Sequence, residues 1–329
     1  MRTERREEGL ARLLSYVSSA LRDKGYSVDE VKYPINHGRR SIDVVASSSD
    51  GQVVVKVARS LDDVKPSDIA ELNMYSRLYD VSSIVVVGSG IDEEFDDIVA
   101  YEKGLVHIVG VRGFVSALRN GIYVVKRQTN YYMQIDGEKL REERLRRGMS
   151  LGDVADIAGV SRKSVYLYEQ ESMDVSLPTA LRLLEVFGEE IFKSYPILKP
   201  PSKRSPELSR PSGRSTTFNI NEMAESALYR KVIKVLSELG GIFAKVKRSP
   251  PHIIASVGDK RLALVLETRR EQEVRYRVGE AAKIGRAVSA HVIAVVSSGD
   301  RKQEIEKEFG EVEVYRAGEL EAKNFEKSL

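Results

Sequence analysis

The 329-residue chain contains no cysteine. Disulfides, thiolate zinc sites and cysteine nucleophiles are thereby excluded, and the composition suits a reducing compartment. Long apolar runs are missing too: none approaches the ~18 residues of a membrane-spanning helix. The opening Met1-Arg-Thr-Glu-Arg-Arg-Glu-Glu8 leads into an amphipathic helix rather than a signal peptide. A soluble, cytoplasmic protein with no membrane partner is expected. An excess of one charge is also lacking, since 52 Lys and Arg oppose 49 Asp and Glu for a net +3. Any basic surface must therefore be local. Asn and Gln are sparse while charged residues reach 31%, a balance resembling that of thermophile proteins. The four histidines, His37, His107, His252 and His291, show no metal-ligand spacing. No metal or other cofactor is expected.

What is present is enough apolar residue, 42%, for more than one core, in a chain longer than one core usually serves. Leu10, Leu13, Leu14, Val17 and Leu21 share one helical face, and Gly25 stops that helix. Strands are predicted around 26–31, 42–47 and 53–57, with Asp50-Gly51 as a hairpin turn. A helix is expected from Pro66 to Leu78, a buried strand at Ile84–Val87, a helix over Asp92–Glu102 and a strand at Leu105–Val109. Together these make residues 1–128 an α/β domain. Residues 137–195 show only helical patterns, so 129–196 form an all-α domain. Five of the ten prolines then fall between Pro196 and Pro211 among Lys199, Lys203, Arg204, Arg210 and Arg214. A Pro-rich basic linker over 197–220 is predicted. Gly88-Ser-Gly90 follows a strand but lacks a third glycine at the dinucleotide-binding spacing, and Asp92, Glu93 and Glu94 would repel a pyrophosphate there.

Residues 221–329 repeat the first domain. At an offset of 209, Asp43-Val-Val-Ala-Ser47 meets His252-Ile-Ile-Ala-Ser256, Glu71 meets Glu280 and Arg77 meets Arg286. Ile84-Val-Val-Val-Gly-Ser-Gly90 meets Ile293-Ala-Val-Val-Ser-Ser-Gly299, and a helix over Ala224–Leu239 mirrors the first helix. The competing explanation is chance similarity of hydrophobic patterns.

The segment Leu140–Glu169 carries the strongest functional signal. Ser150 can cap a short helix with Asp153 at the capping-box position, and Val154, Ala155 and Ile157 supply its apolar face. Gly159 suits the left-handed residue that ends a helix, and Ser161 can cap the next one. Val165 and Tyr168 would face inward, leaving Arg162, Lys163, Tyr166 and Leu167 outward. Two short helices joined by a glycine turn form a helix-turn-helix. Leu-Arg at 140–141, Gly-Met-Ser at 148–150, Val-Ala at 154–155, Ala-Gly-Val-Ser at 158–161 and Tyr-Glu at 168–169 resemble the lambda repressor/Cro-type helix-turn-helix. That resemblance implies a five-helix DNA-binding domain whose recognition helix presents Arg162, Lys163 and Leu167 to base edges. Ser161 and Ser164 would lie near phosphate, and Tyr166 belongs to the same outward face. It also implies an ion pair between Arg144 and Glu169. Leu151 stands where the family usually has Gln, so a phosphate and bracing contact is missing. Arg162 suits a bidentate contact to guanine, and Lys163 a base or phosphate. Outside such a motif both would read as ordinary surface charge. From Glu138 to Glu171 seven basic residues face seven acidic ones. Phosphate neutralisation would therefore draw on Lys126, Arg127 or the linker. Tyr131-Tyr132 could stack on bases, though packing is the ordinary role of paired tyrosines at a junction.

Asp43, followed by a hairpin and Lys56, resembles the restriction-endonuclease-like motif of Asp, hairpin, then Asp/Glu-x-Lys. Such enzymes hold a divalent metal between two carboxylates. Here Val54 takes the second carboxylate's place, and the C-terminal copy offers His252, Ala263 and Val265. Both copies are expected to be nuclease-like scaffolds without activity; a generic α/β domain with an edge-strand lysine is the plainer alternative. The whole order, two α/β domains flanking a helix-turn-helix domain, resembles a family of archaeal HTH-type transcriptional regulators. It implies DNA binding. A sequence-specific regulator of double-stranded DNA is expected, working as a homodimer because one recognition helix covers only about four base pairs. A nuclease targeted by the helix-turn-helix is the alternative, disfavoured by positions 54 and 263. An interaction scaffold whose flanking domains dimerise is compatible with the first.

Overall fold

A computed structural model describes residues 2–91, 97–200, 227–267 and 274–326. The first α/β unit consists of α1 (Arg2–Asp23), β1 (Ser27–Glu30), β2 (Val44–Ser48), β3 (Gly51–Ala58), α2 (Pro66–Tyr79), β4 (Ser82–Val87), β5 (Val99–Lys103), β6 (Val106–Gly110) and α3 (Val111–Arg119). Strand β3 reads Gln-Val-Val-Val-Lys-Val-Ala because both of its faces are covered. Val53, Val55 and Val57 pack with Val17 and Leu21 of α1. Val54 and Ala58 pack with Leu72, Tyr75 and Tyr79 of α2. Burying each such side chain contributes about 1.5–3 kcal/mol.

The sheet does not end with this unit. Strands β7 (Val124–Arg127) and β8 (Asn130–Ile135) form an antiparallel hairpin across residues 128–129 and lead directly into the helical module. That module holds α4 (Gly137–Arg146), α5 (Leu151–Ala158), α6 (Arg162–Glu169), β9 (Val175–Ser176), α7 (Leu177–Phe187) and β10 (Phe192–Lys193). The full strand order is β1-β2-β3-β4-β6-β5-β7-β8-β10, with β9 pairing β8. Leu140, Val154, Ala155, Ala158, Val165, Tyr168, Leu183 and Phe187 make the module's own core.

Three sequence expectations need correction. Asp92–Glu102 is not one helix: 92–96 lie outside the described residues, and Val99–Lys103 is strand β5, paired with β7 and β6. Acidic composition suggested a helix, but the burial of Val99 and Ala100 between neighbouring strands prevails. Residues 137–195 are not purely helical, because β9 and β10 pair with β8. The helical module contains four α-helices and a 3-10 turn at Glu189–Ile191, where five helices were expected. Of the expected linker only the start is described. There Ile197 is buried among α1 and β-strand residues, and its carbonyl accepts a hydrogen bond from Ser82.

The C-terminal unit comprises α8 (Ala227–Glu238), β11 (Ile242–Lys245), β12 (Ile253–Val257), β13 (Lys260–Leu266), α9 (Val274–Val288), β14 (Ala290–Val296), α10 (Gly299–Glu308), β15 (Glu313–Arg316) and α11 (Ala322–Glu326). Its order, β11-β12-β13-β14-β15, repeats β1-β2-β3-β4-β6 in position and sense. The register repeats as well. Val45 pairs with Val54 as Ile254 pairs with Ala263, and Val53 pairs with Ser82 as Leu262 pairs with His291. These pairs preserve the offset of 209. For β1 and β11 the offset is 215, with Ser27 and Ile242 opposite Ser47 and Ser256.

The two copies pack on each other with α2 and α9 between them. Ile284, Ala287 and Val288 of α9 join the core containing Val31, Val45 and Leu72 of the first copy. The contact has reciprocal features. Glu71 accepts hydrogen bonds from the backbone N–H groups of Lys247 and Arg248 at 2.6 and 2.9 Å. Glu280, its repeat equivalent, accepts one from the backbone N–H of Lys32, which is the equivalent of Lys247. Around this pair Tyr79 Oη donates to the carbonyl of Leu262, and the Tyr75 and Ser249 hydroxyls hydrogen-bond at 3.0 Å.

Candidate nucleic-acid interface

Helix α5 begins where the sequence requires. Ser150 Oγ accepts from Asp153 N at 3.2 Å, and Asp153 Oδ2 accepts from Ser150 N at 2.7 Å. This reciprocal capping box also holds the Asp153 carboxyl below its ordinary pKa, with Arg162 nearby reinforcing the effect. The helix ends at Gly159, with φ 67° and ψ 39°. A Cβ there would stand 2.0 Å from Arg182 Nη1, whose guanidinium covers the turn and donates to the Ala158 carbonyl at 3.3 Å. Ser161 Oγ then accepts from Ser164 N at 3.1 Å and starts α6.

Of the outward set, Ser161, Arg162, Lys163 and Tyr166 are exposed, and Ser164 and Leu167 are half-buried. Val165 and Tyr168 are buried in the module core as expected. The outward residues thus occupy one side and the N-terminal end of a helix anchored by its other side. The Arg144 guanidinium grips Glu169 with two bonds, of 2.6 and 3.1 Å, and donates to the Met149 carbonyl. That pairing ties α4 to the end of α6. Leu151 packs against the module core, so an apolar contact braces α5 where the missing Gln was noted.

The basic residues of the β7–β8 hairpin have other partners. Arg127 bonds Glu102 at 3.1 Å and Asp174 at 2.6 Å. Burial works against its charge, but the two carboxylates hold its pKa above the ordinary value. The bond to Asp174 fixes the hairpin to the loop that follows α6. Lys126 lies between the rings of Tyr101 and Tyr131, 4.9 and 5.0 Å from their centroids. Tyr132 lies beneath the Arg127 guanidinium. The tyrosine pair therefore packs on cations.

Asp43 and Lys56 do come together, at 3.0 Å, but inside the protein: Asp43 is fully buried and Lys56 is 3% exposed. Asp43 Oδ2 also accepts from Val57 N at 2.8 Å, while its other oxygen lies 3.0 Å from His37 Nε2 and 3.6 Å from Arg40. Burial alone would raise the Asp43 pKa; Lys56, His37 and the Val57 N–H outweigh it and lower the pKa. The Lys56 pKa is lowered, because its desolvation outweighs its partner. Val54 is wholly buried. A divalent metal does not fit this set, since the one carboxylate of the motif is occupied by cations and the second position is a hydrocarbon. Arg248 of the C-terminal copy further closes this side, bonding Asp68 at 2.7 Å and the Gly38 carbonyl at 2.8 Å. In that copy His252 Nδ1 accepts from Leu266 N at 3.0 Å, the repeat of Asp43 accepting from Val57 N. Ala263 and Val265 are buried.

Residues 10–124 match the model of the PD-(D/E)XK superfamily domain, and residues 140–193 match a helix-turn-helix model. A protein of Aeropyrum pernix named "Putative HTH-type transcriptional regulatory protein" is 30% identical over 82% of this chain and 81% of its own length. This chain belongs to that family. Relatives with the same family name occur in Thermococcus kodakarensis, at 27% identity over 85% of this chain and 83% of theirs, and in Sulfurisphaera tokodaii, at 28% over 89% and 92%. No solved structure matches the chain. Among the described residues, no helix is long and apolar enough to cross a membrane.

Proposed function

We propose that this chain is a sequence-specific DNA-binding transcriptional regulator that reads duplex DNA with α6 and does not cleave it. The observation that carries the reading is α6 itself, capped by Ser161, with Arg162, Lys163 and Tyr166 exposed on an element whose other side is locked by Val165, Tyr168 and the Arg144–Glu169 pair. Arg162 and Lys163 supply donors to guanine O6 and N7, Leu167 and Tyr166 supply apolar contact, and Ser161 and Ser164 supply donors to phosphate. The relatives' names support the regulatory role. The match of residues 10–124 to a nuclease superfamily favours the alternative of a targeted nuclease. The buried Asp43, ion-paired with Lys56, and the apolar Val54 weigh against it.

The nuclease-like copies, in this reading, form a paired scaffold on either side of the DNA-reading module in sequence, and two chains act together on two half-sites. One recognition helix covers only about four base pairs, whereas a two-fold pair spaced about 34 Å apart reads adjacent turns of the major groove. The test is selection of bound sequences from random duplex DNA, with wild type and with Arg162→Ala/Lys163→Ala. The wild type should enrich a defined site with strongly salt-dependent affinity. The double variant should keep its circular dichroism spectrum and lose the preference. A variant that still enriches the same site would overturn the base-reading role.

A further inference from the structure

The contact between the two α/β copies is reciprocal, so equivalent positions can be compared across it. The bonds of Glu71 and Glu280 go to backbone N–H groups and are alike on both sides. They would serve a pair of like copies as well as the unlike pair that is present. The other side chains of the contact do not repeat. Asp68 of α2 is the equivalent of Arg277 of α9, and Tyr33 is the equivalent of Arg248. Asp68 meets Arg248 as an ion pair at 2.7 Å. Arg277 meets Tyr33 instead, its guanidinium 4.9 Å from the ring centroid and 3.3 Å from the hydroxyl. Gln52 of β3 accepts a hydrogen bond from its own equivalent, Arg261 of β13, at 2.6 Å. A residue that meets its own equivalent lies near the axis of the pairing. Sizes differ as well. Tyr75 and Tyr79 of α2 stand where α9 has Ile284 and Val288, and all four lie in one buried core.

We propose that this surface selects the unlike pair: each copy fits the other copy of the chain and rejects its like in a second chain. Two C-terminal copies joined in the same way would set Arg248 against Arg277 twice and Arg261 against Arg261. Those are like charges with no carboxylate between them. The same pair would lack all the tyrosines and leave their space unfilled. Two N-terminal copies would crowd both pairs of tyrosines into one core and turn Asp68 toward Tyr33 rather than toward an arginine. Only the unlike pair joins large to small and acid to base. Discrimination of this kind needs repulsion in the wrong pairs as well as attraction in the right one. The covalent connection adds a high effective concentration of the fitting partner. Each chain therefore closes on itself, and contacts between chains fall to other surfaces. The inference goes beyond the DNA-binding reading and does not depend on it.

The experiment uses the full chain, whose lack of cysteine allows single thiols to be placed. Gln52→Cys, Arg261→Cys and Gln52→Cys/Arg261→Cys chains are treated with a short bismaleimide and separated under denaturing conditions. The double variant should gain an internal bridge and run as one chain, which also proves that the reagent reaches the site. Neither single variant should give bridged dimers. Charge exchange tests the basis of the choice. Gln52→Arg sets two arginines together at the axis and should speed limited proteolysis about fivefold, by raising the population of the open form. Gln52→Arg/Arg261→Gln exchanges the two residues between the copies and should return the rate to within about twofold of wild type. Bridged dimers from any of the three cysteine variants, or no internal bridge in the double variant, overturn the proposal. So does an exchange variant that stays as open as Gln52→Arg, since the position rather than the pairing would then matter.

Discussion

Gly137 has no room for a side chain. A Cβ on it would lie 2.3 Å from the backbone oxygen of Glu169 and 2.7 Å from its carbonyl carbon. Two backbone segments, the start of α4 and the end of α6, touch there and neither can yield cheaply. Gly137→Ala should destabilise the helical module by about 1–3 kcal/mol, the range for overpacking, and chemical denaturation followed by circular dichroism would measure it. A second residue-scale prediction concerns Asp43. Asp43→Asn leaves Lys56 buried with its counter-charge removed, a change that costs about 3–5 kcal/mol in buried pairs. Because the folded pKa of Asp43 is depressed, its contribution is present above the unfolded value of about 3.9 and fades as pH falls through the lower folded value. The stability gap between wild type and Asp43→Asn should therefore be full at pH 7 and shrink below about pH 4. A gap unchanged by acid would show that the carboxylate charge is not what holds the site.

At the scale of elements, the reciprocal Glu71 and Glu280 bonds connect α2 and α9 to the opposite copies. Glu71→Ala/Glu280→Ala should loosen that contact, seen as faster limited proteolysis and an earlier unfolding transition, with α6 still able to bind DNA. Transitions superimposable on wild type would deny the bonds that role. Elements whose signals are local were legible in the sequence: the Ser150–Asp153 capping box, the Gly159 turn and the α1 stripe stand as read, and the hairpin expected at Asp50-Gly51 turns one residue earlier, at Ser49 and Asp50, with Gly51 opening β3. The Arg144–Glu169 pair followed from the family resemblance. Elements formed by distant partners were not legible. Strand β5 hides in an acidic stretch because its identity comes from pairing with β6 and β7, and β9 and β10 are too short to show any period. Lys126 and Arg127 read as free cations, because Tyr101, Glu102 and Asp174, which hold them, come from other parts of the chain.

For the molecule as a whole, incubating the protein with supercoiled and branched DNA in magnesium or manganese should yield no cleavage. Cutting that persists through purification and disappears in Asp43→Ala would reverse the reading of the N-terminal copy. The pairing of the two copies inside one polypeptide carries a further consequence. A fused pair assembles independently of concentration, and its halves are released from having to be identical. That freedom is visible in their divergence: one half keeps the Asp43–Lys56 ion pair, while the other puts His252 and Val265 at the same positions around the same hydrogen bond. A fusion of an ancestral symmetric dimer would also leave one reading head for every two scaffold units. The stoichiometry of recognition would then have been separated from that of the scaffold, and symmetry at the operator would have to be rebuilt one level higher, between whole chains.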